Sequence, residues 1–175
     1  AWLLELLIDD LRPVVLVGAM RPATALSADG PLNLFQAVQV ALSPEARGHG
    51  VLVVMDGQIH AAQRVTKVAT QGVSAFASPS SGPYGWVDDV GVHLPMASGS
   101  RRVPFAALAL PEQWPQVLIV YGCVEPESLM LQACLNAGAP GLVFTGTGAG
   151  QLSAAERSVL QAWPGKRPLM LRANR

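Results

Sequence analysis

The sequence predicts an α/β fold in two parts, with a mostly parallel sheet in a partial first domain and a smaller, Rossmann-like second domain that is also partial. Two runs of β-branched and other apolar residues, 14–19 and 50–57, flank a segment with helical periodicity. Such continuous runs are typical of parallel strands buried on both faces, and the helix between them completes a βαβ unit. The alternation of strand and helix returns after residue 116, which predicts a second unit.

The first unit is predicted to begin with a helix over residues 1–10 and to continue through the βαβ segment. Pro31 stands where the first residue of the second helix is expected, and Asp29 or Gly30 precedes it as the cap. We interpret Asp29 as a helix cap without a further role. The helix has one apolar face, which we expect to be its packing face: Leu34, Phe35, Val38, Ala41 and Leu42.

The character of the sequence changes at Gln58. Residues 58–68 have no helical pattern and predict a pair of short strands with a turn between them. Tyr84–Val87 and Val90–His93 predict a hairpin. Residues 95–115 contain four prolines and no long periodic stretch, which indicates a linker. We therefore expect a first domain over 1–97, a linker over 98–115 and a second domain over 116–175.

The second domain is predicted to contain three strands, 116–122, 141–146 and 168–173. The helix after the first of them is expected to end at Gly138. Ser153 and Glu156 have the spacing of a capping box, and the helix that they open is expected to run to Trp163. The expected packing face of the earlier helix consists of Met130, Ala133, Cys134 and Ala137.

Composition excludes several classes of protein. Half of the residues are apolar, 14% are charged and the net charge is zero, so the chain lacks the basic surface of a nucleic-acid-binding protein. No apolar run has the roughly 18 residues that a membrane span needs. The two cysteines, Cys123 and Cys134, are expected to be buried free thiols, and the three histidines do not have the spacing of a metal site. Because the chain starts with an uncapped helix and no methionine, we expect it to be an internal fragment of a longer protein.

Two features could carry chemistry. Lys67 ends a short strand between Val65 and Val68, where a lysine commonly extends its amine to solvent; the alternative is a partly buried amine that takes a proton from a hydroxyl. The segment Gly146–Gly150, GTGAG, lies between a strand and a helix and could bind an anion, although it matches neither of the common phosphate-binding motifs. With Arg172 as a phosphate contact it would suggest a nucleotide-binding protein, but we favour a tight turn without a ligand.

Three segments together carry a family resemblance. Residues 14–38, VVLVGAMRPATALSADGPLNLFQAV, precede residues 50–67, GVLVVMDGQIHAAQRVTK, and AFASPSSGPYG follows at 75–85. In their order and spacing, GAMRP, SADGP-x-NL and VTK resemble the bacterial L-asparaginases, the type II asparaginase/glutaminase enzymes more than type I. The similarity extends through GTGAGQ and covers essentially the whole chain.

The resemblance implies a fold, a reaction and site residues. It implies a larger and a smaller α/β domain, a homotetramer with active sites between subunits, and no cofactor. A threonine would attack the side-chain amide of L-asparagine, an acyl-enzyme would form, and water would release L-aspartate; L-glutamine is a possible second substrate. Lys67 corresponds to the lysine of the threonine–aspartate–lysine relay, and the backbone at Ala19 to a position that faces the substrate. Gln151 stands where many members have an asparagine that reaches the substrate of a neighbouring subunit.

The same resemblance sets the alternatives. The two threonine motifs of the family, T-G-G-T-I and G-T-D-T, do not occur in these residues, so we expect this chain alone to be inactive. A catalytically inactive relative or a fragment with a binding or interface role remains an alternative, as does a nucleotide-binding α/β protein built on residues 116–175. The compartment is expected to be bacterial periplasm or cytoplasm, with the type II resemblance favouring periplasm.

Overall fold

The computed structural model describes residues 1–95, 105, 107–122 and 128–174. The chain divides into two compact units, Ala1–Ala109 and Leu110–Arg175. Part of the predicted linker, and Cys123, lie outside the described residues, and the domain boundaries stay predictions.

The first unit contains two α-helices and the strands of two sheets within its described residues. Strands β1, β2, β3, β6 and β7 form one sheet in the order β1-β2-β3-β6-β7, and β4 pairs with β5 in a small second sheet. The elements, in chain order, are α1 Trp2–Leu7, β1 Val14–Val17, α2 Gly30–Leu42, a 3₁₀ turn Pro44–Ala46, β2 Val51–Met55, β3 Gln58–Ala61, β4 Thr66–Lys67, β5 Phe76–Ala77, β6 Gly85–Val87 and β7 Val92–His93.

The α/β class is confirmed, but the first sheet is mixed rather than mostly parallel. Strands β1 and β2 are parallel neighbours in register Val14↔Val51, as the βαβ pattern predicts. The pairings β2–β3, β3–β6 and β6–β7 are antiparallel. The reason is that Asp56 and Gly57, both with positive φ, turn the chain straight back after β2 and leave no room for a crossover helix.

Two local expectations for residues 58–93 have different outcomes. The predicted hairpin is present as β6 and β7, and the N–H of Asp88 closes it by donating to the carbonyl of Gly91. The predicted strand pair over 58–68 is wrong as a pair: β3 joins the five-stranded sheet, whereas β4 pairs with β5. The partners of β3 are β2, which directly precedes it in the chain, and the more distant β6.

The predicted packing face of α2 is wrong. Its buried residues are Asn33, Ala37 and Val40, and the last two share a core with Leu52 and Val54 of β2. The predicted residues Leu34, Phe35, Val38 and Leu42 are 49–78% exposed in this chain. Alanine at position 37 lets the helix approach the sheet closely, and the buried amide of Asn33 is fully hydrogen-bonded, so a polar and a small residue occupy the face that hydrophobicity alone would not select.

The second unit is a parallel α/β layer. Its elements are β8 Val117–Tyr121, α3 Leu129–Asn136, β9 Gly141–Gly146, α4 Ala154–Ala162 and β10 Leu169–Asn174. The sheet has the order β10-β9-β8 with both pairings parallel, and Phe144 and Leu142 of β9 are at the centre of its core. The predicted capping box is confirmed: Ser153 Oγ accepts from the N–H of Glu156 at 3.1 Å, and Glu156 Oε2 accepts from the N–H of Ser153 at 2.8 Å.

The predicted face of α3 is confirmed only at Cys134. The buried residues are Leu131, Cys134 and Leu135, whereas Met130 is 62% exposed. Both faces are apolar, and the sequence does not show which of them the sheet covers. Cys134 is a buried free thiol, as expected.

None of the helices among the described residues is both long and apolar enough to cross a membrane.

Candidate functional site

A cavity of about 510 Å³ lies in the first unit, beside the carboxyl ends of β1 and β2. Its wall includes Gly18, Ala19 and Met20, which directly follow β1, and Lys67 at the end of β4. Ligands of α/β sheets commonly bind at the carboxyl ends of parallel strands. Ala19 and Lys67, which the sequence singled out separately, thus border the same cavity.

Side chains along β2 alternate between the face of the sheet that α2 covers and the face that borders this cavity. Successive side chains of a strand point to opposite faces. Leu52 and Val54 belong to the core under α2, whereas Val53 and Met55 line the cavity. The cavity therefore lies on the face of the β1–β2 pair opposite α2.

The side chain of Lys67 is exposed, and its Nζ lies 5.9 Å from the centre of the Phe76 ring. This distance suits a cation–π contact with the residue directly opposite in the β4–β5 pair. No described residue forms a hydrogen bond or ion pair with the amine. Among the described residues the side chain of Lys67 thus stays open to solvent while it borders the cavity.

A side-chain network from the start of α2 holds the loop after β1. Asn33 Nδ2 donates to the carbonyl of Gly18 at 3.0 Å and to Asp29 Oδ2 at 3.1 Å, while Asn33 Oδ1 accepts from the N–H of Asp56 at 3.0 Å. Asn33 is 2% exposed, so these bonds are shielded from water. One amide therefore connects the ends of β1 and β2.

The interpretation of Asp29 as a helix cap alone is wrong. Its backbone occupies the cap position, but its carboxylate makes no capping bond. Instead, Oδ2 accepts from the N–H of Met20 at 2.9 Å and Oδ1 from the N–H of Arg21 at 2.9 Å. The pKa of Asp29 is lowered, and the bond from Met20 is the largest cause. These two N–H groups follow the end of β1 and have no strand partner, which is why a carboxylate nine residues later satisfies them.

Gln151 lies in the second unit, in the loop that follows β9. The side chain is exposed. The backbone N–H of Gln151 donates to the carbonyl of Thr147 at 3.0 Å and closes a tight turn. As expected, Gly146–Gln151 extends from the carboxyl end of a strand, with Thr147, Gly148, Ala149 and Gln151 exposed, although Gly146 and Gly150 are buried in this turn.

The start of α4 argues against the nucleotide-binding alternative for this loop. A phosphate bound there would need the free N–H groups of the first helical turn and their positive field. The buried carboxylate of Glu156 lies at that turn, 4% exposed, and accepts from the N–H of Ser153. A negative side chain thus takes the place where an anion would bind.

A larger cavity of about 820 Å³ lies beside the β6–β7 hairpin. Trp86 and His93, which line it, stack on each other with ring centres 5.1 Å apart, and His93 Nε2 is 2.9 Å from Asp88. The hydrogen bond with His93 is the largest cause of the lowered pKa of Asp88. We regard the smaller cavity as the candidate site, because it lies at the carboxyl ends of parallel strands and is bordered by both Ala19 and Lys67.

The other two histidines have structural contacts. Nδ1 of His60 lies 3.0 Å from Ser78 Oγ, and Nδ1 of His49 lies 2.9 Å from the hydroxyl of Tyr84. Burial lowers the pKa of both rings. The described residues contain no group of three or more His, Cys, Asp or Glu side chains that could hold a metal ion.

Sequence reasoning identified the site only in part. Lys67 and Ala19 emerged from the VTK and GAM matches, whereas the contribution of Asn33 did not. The available signal was an asparagine two residues after a proline at a helix start, on the side of the helix opposite its apolar residues. Glu5 was also missed: it is buried and its Oε2 accepts from the N–H of Val51 at 2.8 Å, which fastens α1 to β2.

Comparison with known proteins agrees with this architecture. The family model described as "Asparaginase, N-terminal" matches residues 1–98. The chain is 42% identical over 159 residues to L-asparaginase 2 of Bacillus subtilis, covering 90% of this chain and 42% of that protein. It is 41% identical over 164 residues to the probable periplasmic L-asparaginase of Haemophilus influenzae, covering 92% of this chain and 47% of that protein.

A solved structure is similar along the whole chain. The crystal structure of the probable cytoplasmic L-asparaginase from Campylobacter jejuni aligns with a TM-score of 0.88 at 34% identity, covering 100% of this chain and 55% of that one. The chain spans about half the length of the curated relatives it matches. With the family model matching more than half of its residues, this chain belongs to the asparaginase family.

Proposed function

We propose that the full-length protein containing this chain hydrolyses the side-chain amide of L-asparagine to L-aspartate and ammonia. The observation that carries the proposal is that Lys67 and Ala19, each matched to the family by a different motif, line one cavity at the carboxyl ends of the strands. Family membership supports an amidohydrolase rather than the binding or nucleotide-dependent alternatives.

In the proposed reaction, a threonine hydroxyl from outside these 175 residues attacks the amide carbon. Lys67 Nζ accepts the hydroxyl proton through the relay, and this proton then passes to the amide nitrogen as the C–N bond breaks, so that ammonia leaves and a threonyl ester remains. Water then attacks the resulting ester, which releases aspartate and restores the threonine hydroxyl. The amine needs a protein environment that lowers its affinity for protons, and we propose that the remainder of the full-length protein provides it by covering the exposed Lys67.

The experiment is ammonia release by the full-length protein with L-asparagine and, separately, L-glutamine. Replacing Lys67 by methionine, which keeps an unbranched side chain as far as Cε and removes the amine, should lower kcat by about 10³-fold. Arg64→Met is a matched control, because Arg64 is an exposed cation three residues away that lines a different cavity. Circular dichroism checks that both variants fold. Wild-type turnover in Lys67→Met would exclude Lys67 from the relay, and turnover of glutamine alone would correct the substrate.

We further propose that the protein acts as a homotetramer, with Gln151 reaching the substrate of a neighbouring subunit. The exposed apolar residues of α2, from Leu34 to Leu42, support further protein contacts, since soluble proteins rarely leave such a face uncovered. Native mass spectrometry of the full-length protein measures the assembly. Mixed oligomers of Lys67→Met and Gln151→Ala subunits should recover activity if, and only if, sites combine residues of two subunits.

The compartment is proposed to be the periplasm, with the cytoplasm as the alternative. The similar proteins from Haemophilus influenzae and Campylobacter jejuni are named periplasmic and cytoplasmic, respectively. Fractionation of the native host, followed by activity in each fraction, distinguishes the two.

A further inference from the structure

Two adjacent peptide groups on either side of Ala19 are held by the network from α2. The carbonyl of Gly18 accepts from Asn33 Nδ2 at 3.0 Å. The N–H of Met20 donates to Asp29 Oδ2 at 2.9 Å. Since Asn33 also donates to Asp29, the two anchors are themselves connected. The peptide groups before and after residue 19 are thus both fixed by side chains.

Fixing these two peptides determines where the polar groups of Ala19 point. In a trans peptide the C=O and N–H bonds are antiparallel. Because the carbonyl of Gly18 points to Asn33, the N–H of Ala19 points the opposite way. Because the N–H of Met20 points to Asp29, the carbonyl of Ala19 also points away from that carboxylate. Neither group of Ala19 has a backbone hydrogen bond to another described residue.

The direction away from Asp29 and Asn33 is the direction of the cavity. Asn33 belongs to α2, which packs on the face of the sheet formed by Leu52 and Val54. The cavity lies on the opposite face and is bordered by Ala19 itself. The N–H and the C=O of Ala19, which form no backbone hydrogen bond with another described residue, therefore face the space where a ligand would bind.

We propose that Asp29 and Asn33 are positioning residues that hold the N–H and C=O of Ala19 toward the bound substrate. This inference rests on the proposed asparaginase function. Asp29 and Asn33 touch no substrate atom; they act through the orientation of the two peptides. L-Asparagine carries both donors and acceptors that are complementary to such an acceptor and donor.

The test compares KM with kcat in the full-length protein. Asp29→Asn preserves shape but places an amide N–H against one of the N–H groups of Met20 and Arg21, so that the loop loses one anchor. Hydrogen bonds from Ala19 that exist equally in the bound substrate and the transition state affect KM more than kcat. We expect KM for L-asparagine to rise about tenfold, the effect of one lost hydrogen bond, with kcat changed less than about threefold.

Asp88→Asn is the matched control. Asp88 also accepts from two backbone N–H groups, those of Val90 and Gly91, but it lies in the β6–β7 turn away from the cavity. KM in this control should stay at the wild-type value even if its melting temperature falls. Equal KM values in Asp29→Asn, Asp88→Asn and the wild type would overturn the positioning role.

A second variant allows the test to be decided if Asp29→Asn does not fold. Asp29→Ser retains a favoured residue at the helix start while it removes the carboxylate from Met20 and Arg21. If Asp29→Asn is insoluble, the KM of Asp29→Ser decides, with a tenfold rise again expected. Loss of folding in both variants would mean a purely structural role and would overturn the proposal. An inactive wild-type protein would instead overturn the proposed function, and this inference with it.

Discussion

The loops that follow β1 and β9 occupy equivalent positions in their units, each between the carboxyl end of a parallel strand and the helix that comes after it. They are built differently. The loop after β1 is held by side chains, since Asp29 and Asn33 accept from or donate to backbone groups of Gly18, Met20 and Arg21. The loop after β9 is held by its own backbone and by close contacts at Gly146 and Gly150.

The difference shows which contacts hold each candidate site residue in place. Ala19 depends on the side chains of Asp29, at the far end of the same loop, and of Asn33 in α2, so the loss of either polar group can displace it. Gln151 depends on the absence of side chains at its neighbours. A Cβ added at Gly146 would lie 2.4 Å from the carbonyl oxygen of Gln151, closer than any real contact. The first loop should therefore respond to loss of polar groups and the second to added volume.

The largest effect is expected from Gly146→Ala. The added methyl would meet the backbone of Gly150 and Gln151 rather than a flexible side chain, so the turn itself must move. We expect a loss of about 3 kcal/mol in the free energy of unfolding of the full-length protein, measured in urea. The control is Gly148→Ala, where φ is +55° and no atom lies within 4 Å of the added carbon. Backbone strain alone should cost it about 1 kcal/mol, and equal losses in both variants would contradict the steric explanation.

Asn33→Leu should have the next largest effect. Leucine has nearly the same shape but leaves the carbonyl of Gly18 and the N–H of Asp56 without their partner. Because these partly buried groups would be left without a hydrogen bond, we expect a loss of about 2 kcal/mol in the free energy of unfolding. Gln36→Leu provides the comparison on the same helix, because Gln36 Oε1 accepts one bond, from Gly57, at 3.2 Å. Gln36→Leu should lower the free energy of unfolding by about 1 kcal/mol. A larger loss in Gln36→Leu than in Asn33→Leu would disprove the special role of the buried amide of Asn33.

The same two loops show what the sequence could and could not predict. The strands flanking them were predictable because continuous runs of Val, Leu and Ile have one stable environment, the interior of a parallel sheet. The β9–α4 connection was predictable as well, because the capping box of Ser153 and Glu156 is a local motif.

The network at Asp29 and Asn33 was not predictable from local rules. The pattern of a polar residue before Gly-Pro indicates a helix cap, and Asp29 has the backbone position of one. Its carboxylate instead serves N–H groups eight and nine residues earlier, a tertiary contact that exists only once the loop has closed. The prediction of the packing face of α2 was wrong for a related reason. Asn33 and Ala37 are buried because they bond to and closely approach the sheet, while larger apolar side chains remain exposed in this chain.

Ser153→Ala should have a smaller effect, confined to the second loop. Removing the hydroxyl leaves the N–H of Glu156 without its acceptor at the first turn of α4. A loss of about 1 kcal/mol in the free energy of unfolding is expected for a lost N-cap. Ser158→Ala is the control in the same helix, since Ser158 Oγ bonds back to the carbonyl of Ala154 on an exposed face. That change should be neutral or slightly stabilising; the cap interpretation would be wrong if both variants lost the same stability.

The smallest effect is expected from acid. Low pH should destabilise the loop after β1, which a carboxylate holds, and not the loop after β9. The pKa of Asp29 is lowered below its ordinary value of 3.8, mainly by the N–H of Met20. The carboxylate is therefore charged in the folded protein at a pH where the unfolded chain already binds a proton. Its stabilising contribution is complete above that ordinary value and is lost as the pH falls through the lowered one.

The loop over 146–151 has no titratable side chain and should not respond in this range. Comparing urea unfolding at about pH 5 and about pH 3, the wild type should lose more stability than Asp29→Asn, because the variant has no carboxylate to protonate there. Asp88, whose pKa is also lowered, provides a check: Asp88→Asn should reduce the acid loss independently, so that the effects of the two substitutions add. Hydrogen exchange at both pH values, corrected for the intrinsic rates, should show faster opening at Met20 and Arg21 in acid and unchanged protection at Gln151. Equal acid responses of the two loops would mean that the carboxylate of Asp29 does not hold the loop that carries Ala19.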